Sequence, residues 1–488
     1  MESDWIKNVG GRMKIGQINE KTIATALSLT EGKRKKAGQM IERYDQEKLP
    51  IHERKYMIDK VEQEGLIKRL LSVDIFSEIV DISTGYLVGI PVAINLNKDR
   101  YKREQSLFSI LKEKVLPGSP EKKLEEDSYR LQRYGIINDI DLQNAEVEKF
   151  CSIAGYCGRL NYVSGTEIMS KTIKPSECSF FDDAALYLYS VDEITENTVK
   201  QVSYCRAYDA VNLYEFKNDG GWKLVNTVVH EFGGIPLIEC QNNERGNSDA
   251  YNVIDLLDQI DRIVSDWASE TEQGRLAGLL AMGKGKPIDN FISEFKKNGG
   301  AYLPDGSDMK YLIKQIPFEQ ILALLKYLRE EAFYTSKTPN MRDESFGGNL
   351  SGVALEYKFR PFEFKCVTKE RYFTAFLREH YRLVCGIMQK FGKGDIAYSA
   401  IDFTFTRNYP KNLFEEAQTQ SLLDGKVPVK DRLKLCSFIS DPDKAAKELE
   451  AEQGESLYNG SFSKTKTEGK KDPNEDIEEE ESGYKKSA

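Results

Sequence analysis

The chain has 488 residues, 40% of them hydrophobic and 30% charged, so most of it should fold, into roughly two to four regions. Its net charge of −9 argues against a conventional DNA-binding protein, whose affinity comes from neutralising phosphates; a protein that handles DNA while avoiding tight attachment stays open. There is no run of about 18 apolar residues to span a membrane, and MESDWIKNVGGRMKIG at the N-terminus has no apolar signal core, so a cytosolic protein is expected.

Residues 1–50 are polar and charged, with weak helical periodicity near 20–47 and a basic run, Lys33–Lys36, that reads as a solvated face. A helical pattern is expected from 52 to 72. Residues 73–97 end in YLVGIPVAINL, where Gly85, Gly89 and Pro91 punctuate helix-to-strand transitions. Residues 99–150 read as mostly helical. From 151 to 250 the alternation in YLYSV, SYCRAYDAV and WKLVNTVVHEF predicts short antiparallel strands, with turns at Asp182-Asp183 and Asn218–Gly221. They should form a small sheet covered by the preceding helices.

At 252 the period becomes helical. Val253, Leu257, Ile260, Val264 and Trp267 share one face of a helix expected to reach about Leu280, roughly 40 Å long. Breakers dominate 283–317, which should hold a short helix and a hairpin. A second helix is predicted from 318 to 336. The stretch FGGNLSGVALEYKF (346–359) reads as a flexible, partly apolar loop entering a helix, with Ser351 as cap near Gly352. Residues 362–392 carry a third long stripe, which Pro361 should kink or restart. IDFTFTRNYP (401–410) alternates as a strand, 412–452 is helical with a turn at Asp424–Lys426, and 453–488 reads as a disordered acidic tail.

No catalytic constellation emerges. The eight cysteines form no CxxC pair, the histidines are His52, His230 and His380 alone, and the thiols read as buried small hydrophobes. GLLAMGKG (278–285) matches a P-loop up to Lys284, but Gly285 stands where Ser or Thr should hold magnesium, and a helix precedes it. A helix C-terminus capped by Gly283 is the simpler reading. No cofactor or metal is called for.

Several stretches together resemble the portal proteins of tailed bacteriophages, of the kind found in long-tailed phages of Gram-positive hosts. They are IVDISTGYLVGIPV (79–92), NDIDLQNAEVEKFCSIAGYCGRLNYV (138–163), HEFGGIPLIECQNNERGNSDAYNVIDLLDQIDRIVSD (230–266) and SKTPNMRDESFGGNLSGVALEYKF (336–359). The resemblance implies an α+β portal-protein fold: a helix-rich wing carrying a small sheet, a two-helix stem, a clip, a tunnel loop with a long kinked helix, and a helical crown.

Carried onto this chain, it implies a polar arm at 1–50, wing 51–251, stem helix 252–280, clip 281–316, second stem helix 317–338, tunnel loop 339–352, tunnel helix 353–392, wing return strand 393–412, crown 413–452 and tail 453–488. It further implies a homo-oligomeric ring of about twelve subunits at one capsid vertex. Double-stranded DNA would be packaged, retained and ejected through that ring. Lys337, Arg342, Gly347, Gly348, Asn349, Leu350, Ser351 and Gly352 would face the channel. Lys284, Lys286, Lys296, Lys297 and Asp305 would form the clip surface. Terminase and a head-completion protein would dock, the major capsid and scaffolding proteins would be neighbours, and no membrane would be involved. The chain would reside in the virion, and in host cytoplasm during assembly. A loop of small residues suits a channel in which DNA must slide, because each fixed basic contact adds counterion-release affinity. Two other classes stay open: a different oligomeric virion structural protein without a DNA channel, and an NTPase using 278–285.

Overall fold

The computed structural model describes residues 13–55, 57–58, 61–62, 68–103, 120–195, 198–274, 278–282, 308–312, 317–342, 352–408 and 413–433, with scattered residues up to 449. The chain divides into two compact units, Met1–Tyr409 and Pro410–Ala488.

The first unit opens with α1 (Glu20–Tyr44), started by a capping box in which Asn19 accepts from the Thr22 amide and Thr22 Oγ1 accepts from the Asn19 amide. Its inner side packs into the fold. Ile23, Ala26 and Leu27 are buried against a sheet, and Ala37 and Met40 enter two further core clusters. Full burial of Ile23, Leu27 and Met40 contributes about 1.5–3 kcal/mol each. Of the basic run only Arg34 turns inward, donating to Thr30 Oγ1, Ser179 Oγ and the Leu27 carbonyl; Lys33, Lys35 and Lys36 are exposed, with Lys33 Nζ lying 3.9 Å from the Tyr156 ring centroid. The solvated-face reading holds for the three lysines and gives way only at Arg34, whose head finds partners inside while its stem covers apolar surface.

Among the described residues of 52–72 none is helical. They include an antiparallel pair, β1 (Met57–Ile58) and β2 (Val61–Glu62). Residues 69–73 then run extended beside a later helix, α5 (Ile254–Gly274). The Arg69 and Leu71 amides donate to Ser269 and Ser265 Oγ, and the Val73 amide donates to Asp261. Every second amide is satisfied by a side chain from that helix, so the local helical pattern is overridden.

Next come α2 (Ile75–Val88), β3 (Ala93–Leu96), a helical stretch at 98–103, α3 (Pro120–Ile137) and α4 (Ile140–Ala154). The β region forms two sheets where one was expected. One has five antiparallel strands in the order β10-β9-β8-β7-β6, from β6 (Cys178–Phe180), β7 (Ala185–Thr195), β8 (Thr198–Tyr208), β9 (Asn212–Asn218) and β10 (Trp222–Val229). The other has the order β11-β4-β5, from β4 (Tyr156–Ser164), β5 (Glu167–Ile173) and β11 (Leu237–Gln241). The predicted turn residues do connect strands, Asp182-Asp183 between β6 and β7 and Asn218–Gly221 between β9 and β10.

Helix α5 ends at Gly274, short of the expected 280. Gly278–Met282 is instead β12, paired antiparallel with β13 (Asp308–Leu312). The expected helix thus gives way to a strand before Gly283, which itself lies outside the described residues: Gly274 and Gly278 favour leaving the helix, and Leu279-Leu280-Ala281-Met282 pairs with β13. Helix α6 (Phe318–Thr335) returns antiparallel to α5. Trp267 meets the Phe318 ring edge-on at 5.1 Å, while Ala332 and Phe333 share a core with Val253 and Leu257.

Helix α7 (Gly352–Lys390) has 39 residues and runs through Pro361 without ending there. Aromatic packing holds both sides of the proline: Phe359 and Phe362 flank it and close on Tyr86 and Cys366. The C-terminal half of α7, from Phe373 to Met388, fills the main core against β11, β4 and α4. β14 (Ile401–Thr404) then pairs antiparallel with β3, Ile401 opposite Leu96. None of the eight cysteines is in a disulfide, and all are buried. No helix among the described residues is long and apolar enough to cross a membrane. In the second unit, α8 (Leu413–Leu423) and α9 (Val429–Leu433) are joined through the predicted turn at 424–426, with Gln420 Nε2 donating to the Arg432 carbonyl.

Candidate functional site at the base of the long helix

The segment leaving α6 is fixed by backbone geometry. The Lys337 amide donates to the Tyr334 carbonyl and the Thr338 amide to Phe333, the two bonds of a Schellman motif. The residue between cap and exit is Lys337, at φ 55°, a conformation that glycine usually supplies. Its side chain is exposed, whereas Ser336 and Thr338 on either side are buried.

Those flanking residues are held by α7. Lys365 Nζ donates to the Ser336 carbonyl at 3.2 Å and lies 3.4 Å from both Thr338 Oγ1 and Ser83 Oγ. It also faces Asp249 at 3.5 Å. One turn on, Lys369 Nζ reaches Asp249 Oδ2, Glu148 Oε1 and Ser152 Oγ, each at 2.6 Å. The Lys369, Glu148 and Asp249 side chains are only 2–3% exposed.

Two ammonium groups and two carboxylates therefore make a neutral buried network joining α4, the loop before α5, the end of α6 and α7. Burial alone would lower the Lys369 amine; the Asp249 and Glu148 carboxylates overturn that and hold it above its usual range. Burial likewise pushes Asp249 up, but Lys365 and Lys369 hold it below the usual carboxylate range. Glu148 is pushed up by burial, which its one lysine does not offset, so Asp249 is the firmly ionised carboxylate of the two. Burial also lowers Lys365. A neighbouring clamp fixes the same stretch of α7. Arg407 donates to Glu363 at 2.8 Å and Glu370 at 2.7 Å, and Tyr86 OH donates to Glu363 at 2.7 Å.

Of the residues expected to face a channel, Lys337 and Arg342 are both exposed, and the Arg342 amide closes a turn on Asn340 Oδ1. Gly352 is the first residue of α7. Gly347, Gly348, Asn349, Leu350 and Ser351 lie outside the described residues, as do Lys284, Lys286, Lys296, Lys297 and Asp305 of the expected clip surface. The P-loop-like segment begins as β12, but β12 is half of an antiparallel pair and not the strand of a parallel βα unit.

Sequence reasoning missed the network. A signal was present: Lys369 occupies the place between Cys366 and Phe373 where the apolar stripe of α7 needs an inward residue, and His380 does the same further on. A lysine or histidine at such a position announces a buried partner. Its identity, Asp249 and Glu148, is set by tertiary packing alone.

The sequence profile of the family described as phage portal protein, SPP1 Gp6-like, matches residues 30–457. A portal protein of Clostridium phage phiCD119 is 29% identical over 227 residues, 45% of this chain and 49% of that one. The portal protein of Bacillus phage SPP1 is 24% identical over 302 residues, 61% of this chain and 57% of that one. The chain thus spans about half the length of the curated relatives it matches. With a profile running through both sheets, the paired helices, the long helix and the start of the second unit alike, the chain belongs to the SPP1 Gp6-like family of phage portal proteins.

Proposed function

We propose that the chain is the subunit of a ring of about twelve copies at a capsid vertex, through which double-stranded DNA is packaged, retained and ejected. The role is structural rather than catalytic. Helices α5 and α6 form the stem, β12 and β13 lead into and out of the clip, and α7 is the lever behind a loop facing the channel. The second unit contributes the crown. Terminase and a head-completion protein dock at the clip, beside capsid and scaffolding proteins, and the assembly ends in the virion after forming in host cytoplasm.

Beyond family membership, one observation carries this reading. The segment leading to the tunnel loop departs from an exposed Lys337 while both of its neighbours are clamped by Lys365 of α7. Such an arrangement keeps the loop's root rigid and leaves its basic side chain in solvent. Lys337 and Arg342 then give weak sliding contacts, since a few solvated cations neutralise few phosphates.

Imaging of the purified full-length protein, with mass determination, tests the proposal. A closed ring with a central hole wide enough for duplex DNA is the expected result. A solid or open assembly would favour the reading as a virion protein without a channel. A monomer that is stabilised by nucleotide would return attention to residues 278–285.

A further inference from the structure

Arg159 lies on β4 in the middle of the wing core and is 0% exposed. The Phe376 ring of α7 covers it, its centroid 4.9 Å from Cζ. Its Nη2 donates to Asn144 Oδ1 of α4 at 2.8 Å, whereas Nε and Nη1 meet no acceptor. A guanidinium keeps its proton in proteins, so the group cannot escape burial by becoming neutral. No carboxylate pairs with it among the described residues. The nearby lysine–carboxylate network is already balanced, two charges against two, and has no negative charge to spare.

Most of the surrounding polar groups are donors as well, Thr172 Oγ1 opposite Arg159 on β5 being a hydroxyl that can do either. Ser170 Oγ gives its one hydrogen to Asn161 Oδ1 at 2.7 Å, so Tyr134 OH must donate to Ser170 at 2.5 Å, and His380 Nε2 must donate to Tyr134 at 3.2 Å. That chain places a proton on His380 Nε2, while Nδ1 meets no partner. Burial and the neighbouring Arg159 both depress its basicity, so no second cation is present. The chain also consumes the Asn161 carbonyl and leaves Asn161 Nδ2 without a partner; Asn144 Nδ2 is unpartnered too. Asn161 follows Arg159 by two residues on the same strand, hence on the same face, and Asn144 touches Arg159 directly. One face of β4 thus gathers four unmet N–H-bearing atoms, Arg159 Nε and Nη1 and the two amide nitrogens, around one unneutralised charge.

We propose that this cluster binds a buried inorganic monoanion of halide size, chloride in the cell, held by Arg159, Asn144 and Asn161. Water could meet the hydrogen bonds but would leave a full charge in the apolar core, a state that folded proteins avoid. A single guanidinium beside a neutral histidine calls for one negative charge, which sets the class of ligand. The site is independent of the ring reading: it concerns the folding of the wing and stands or falls without a channel.

The test is to refold the full chain in sodium bromide, crystallise it, and collect anomalous data at the bromine edge. A peak beside the Arg159 guanidinium is expected. Water-like density with no anomalous signal overturns the proposal. In parallel, protein refolded in gluconate is titrated with chloride at constant ionic strength. The melting temperature should rise by about 3 °C per tenfold increase above the dissociation constant. Arg159→Met should abolish that dependence. A wild-type melting temperature indifferent to chloride overturns the site, and should Arg159→Met fail to fold, the two wild-type measurements decide.

Discussion

Lys369→Met tests whether the buried network, and not merely helix packing, fixes α7. Methionine keeps the length and apolar stem but removes three contacts of 2.6 Å, to Asp249, Glu148 and Ser152. The two carboxylates fare differently. Asp249 retains Lys365 at 3.5 Å and a hydrogen bond from Asn242 Nδ2 at 2.9 Å. Glu148 is left with Ser152 Oγ at 3.5 Å and no cation. One buried carboxylate is thus stranded, and breaking a buried pair in this way costs about 3–5 kcal/mol. Adding Glu148→Gln removes the stranded charge and should recover most of the loss. The deficit of the single variant should also depend on pH. Without Lys369 the Glu148 carboxyl is raised by burial above its unfolded value, so the protonated form stabilises the fold at low pH. That stabilisation is lost as pH rises through the folded pKa, and the deficit is therefore larger at pH 8 than at pH 5. Denaturant midpoints followed by Trp222 and Trp267 fluorescence measure all of this. A single-variant loss under about 1 kcal/mol, or a double variant no more stable than the single, would show that the network is not what holds the helix.

Lys337→Gly should stabilise the exit from α6 by about 1 kcal/mol, because glycine suits the left-handed backbone, while removing the basic side chain. A more stable ring with altered DNA packaging or ejection would assign the side chain a role in DNA contact, and unchanged DNA transport would remove that role. Pro361 is exposed and withholds a hydrogen bond from the Tyr357 carbonyl, so Pro361→Ala should stabilise α7 by up to about 3 kcal/mol in thermal unfolding; a destabilised variant would mean that the flanking aromatic packing depends on the proline. His380 is buried neutral, with a pKa held well below 6.5 first by burial and then by Arg159. The unfolded chain binds that proton first, so stability is complete above about pH 6.5 and falls below it by up to about 1.4 kcal/mol per pH unit until the folded pKa is reached. His380→Gln should flatten that slope, and an equal slope in the variant would place the acid sensitivity elsewhere.

The long helices were legible because packing on one side writes a 3.6-residue stripe into the sequence. Leu257, Ile260 and Phe373 all fall where that stripe puts them and are all buried. Elements decided by distant partners were not legible. Residues 69–73 run extended because Ser265, Ser269 and Asp261 of a helix almost two hundred positions later take their amides. The left-handed Lys337 carries no local mark, since lysine is an ordinary helix residue and only the surrounding hydrogen bonds hold it at positive φ. The resemblance supplied what periodicity could not, a role for the loop that precedes α7, although most of that loop lies outside the described residues.

The pairing of β3 with β14 sets a timetable for making the protein. Asn97 and Asp402, hydrogen-bonded beside that pair, are 305 residues apart in the chain. At a synthesis rate of about 5–20 residues per second, β3 waits roughly 15–60 s on the ribosome for its partner. The core residues of α7 arrive only shortly before that. Everything from α5 to α6 is translated in between and must be carried as an excursion that closes a long loop, which makes the closing step slow. The β3–β14 sheet and the main core are therefore completed after the paired helices exist, and a subunit released early would expose an unfinished sheet edge and half of that core. Chaperone engagement should be concentrated in that window, on nascent chains that have passed residue 97 and not yet delivered residue 404.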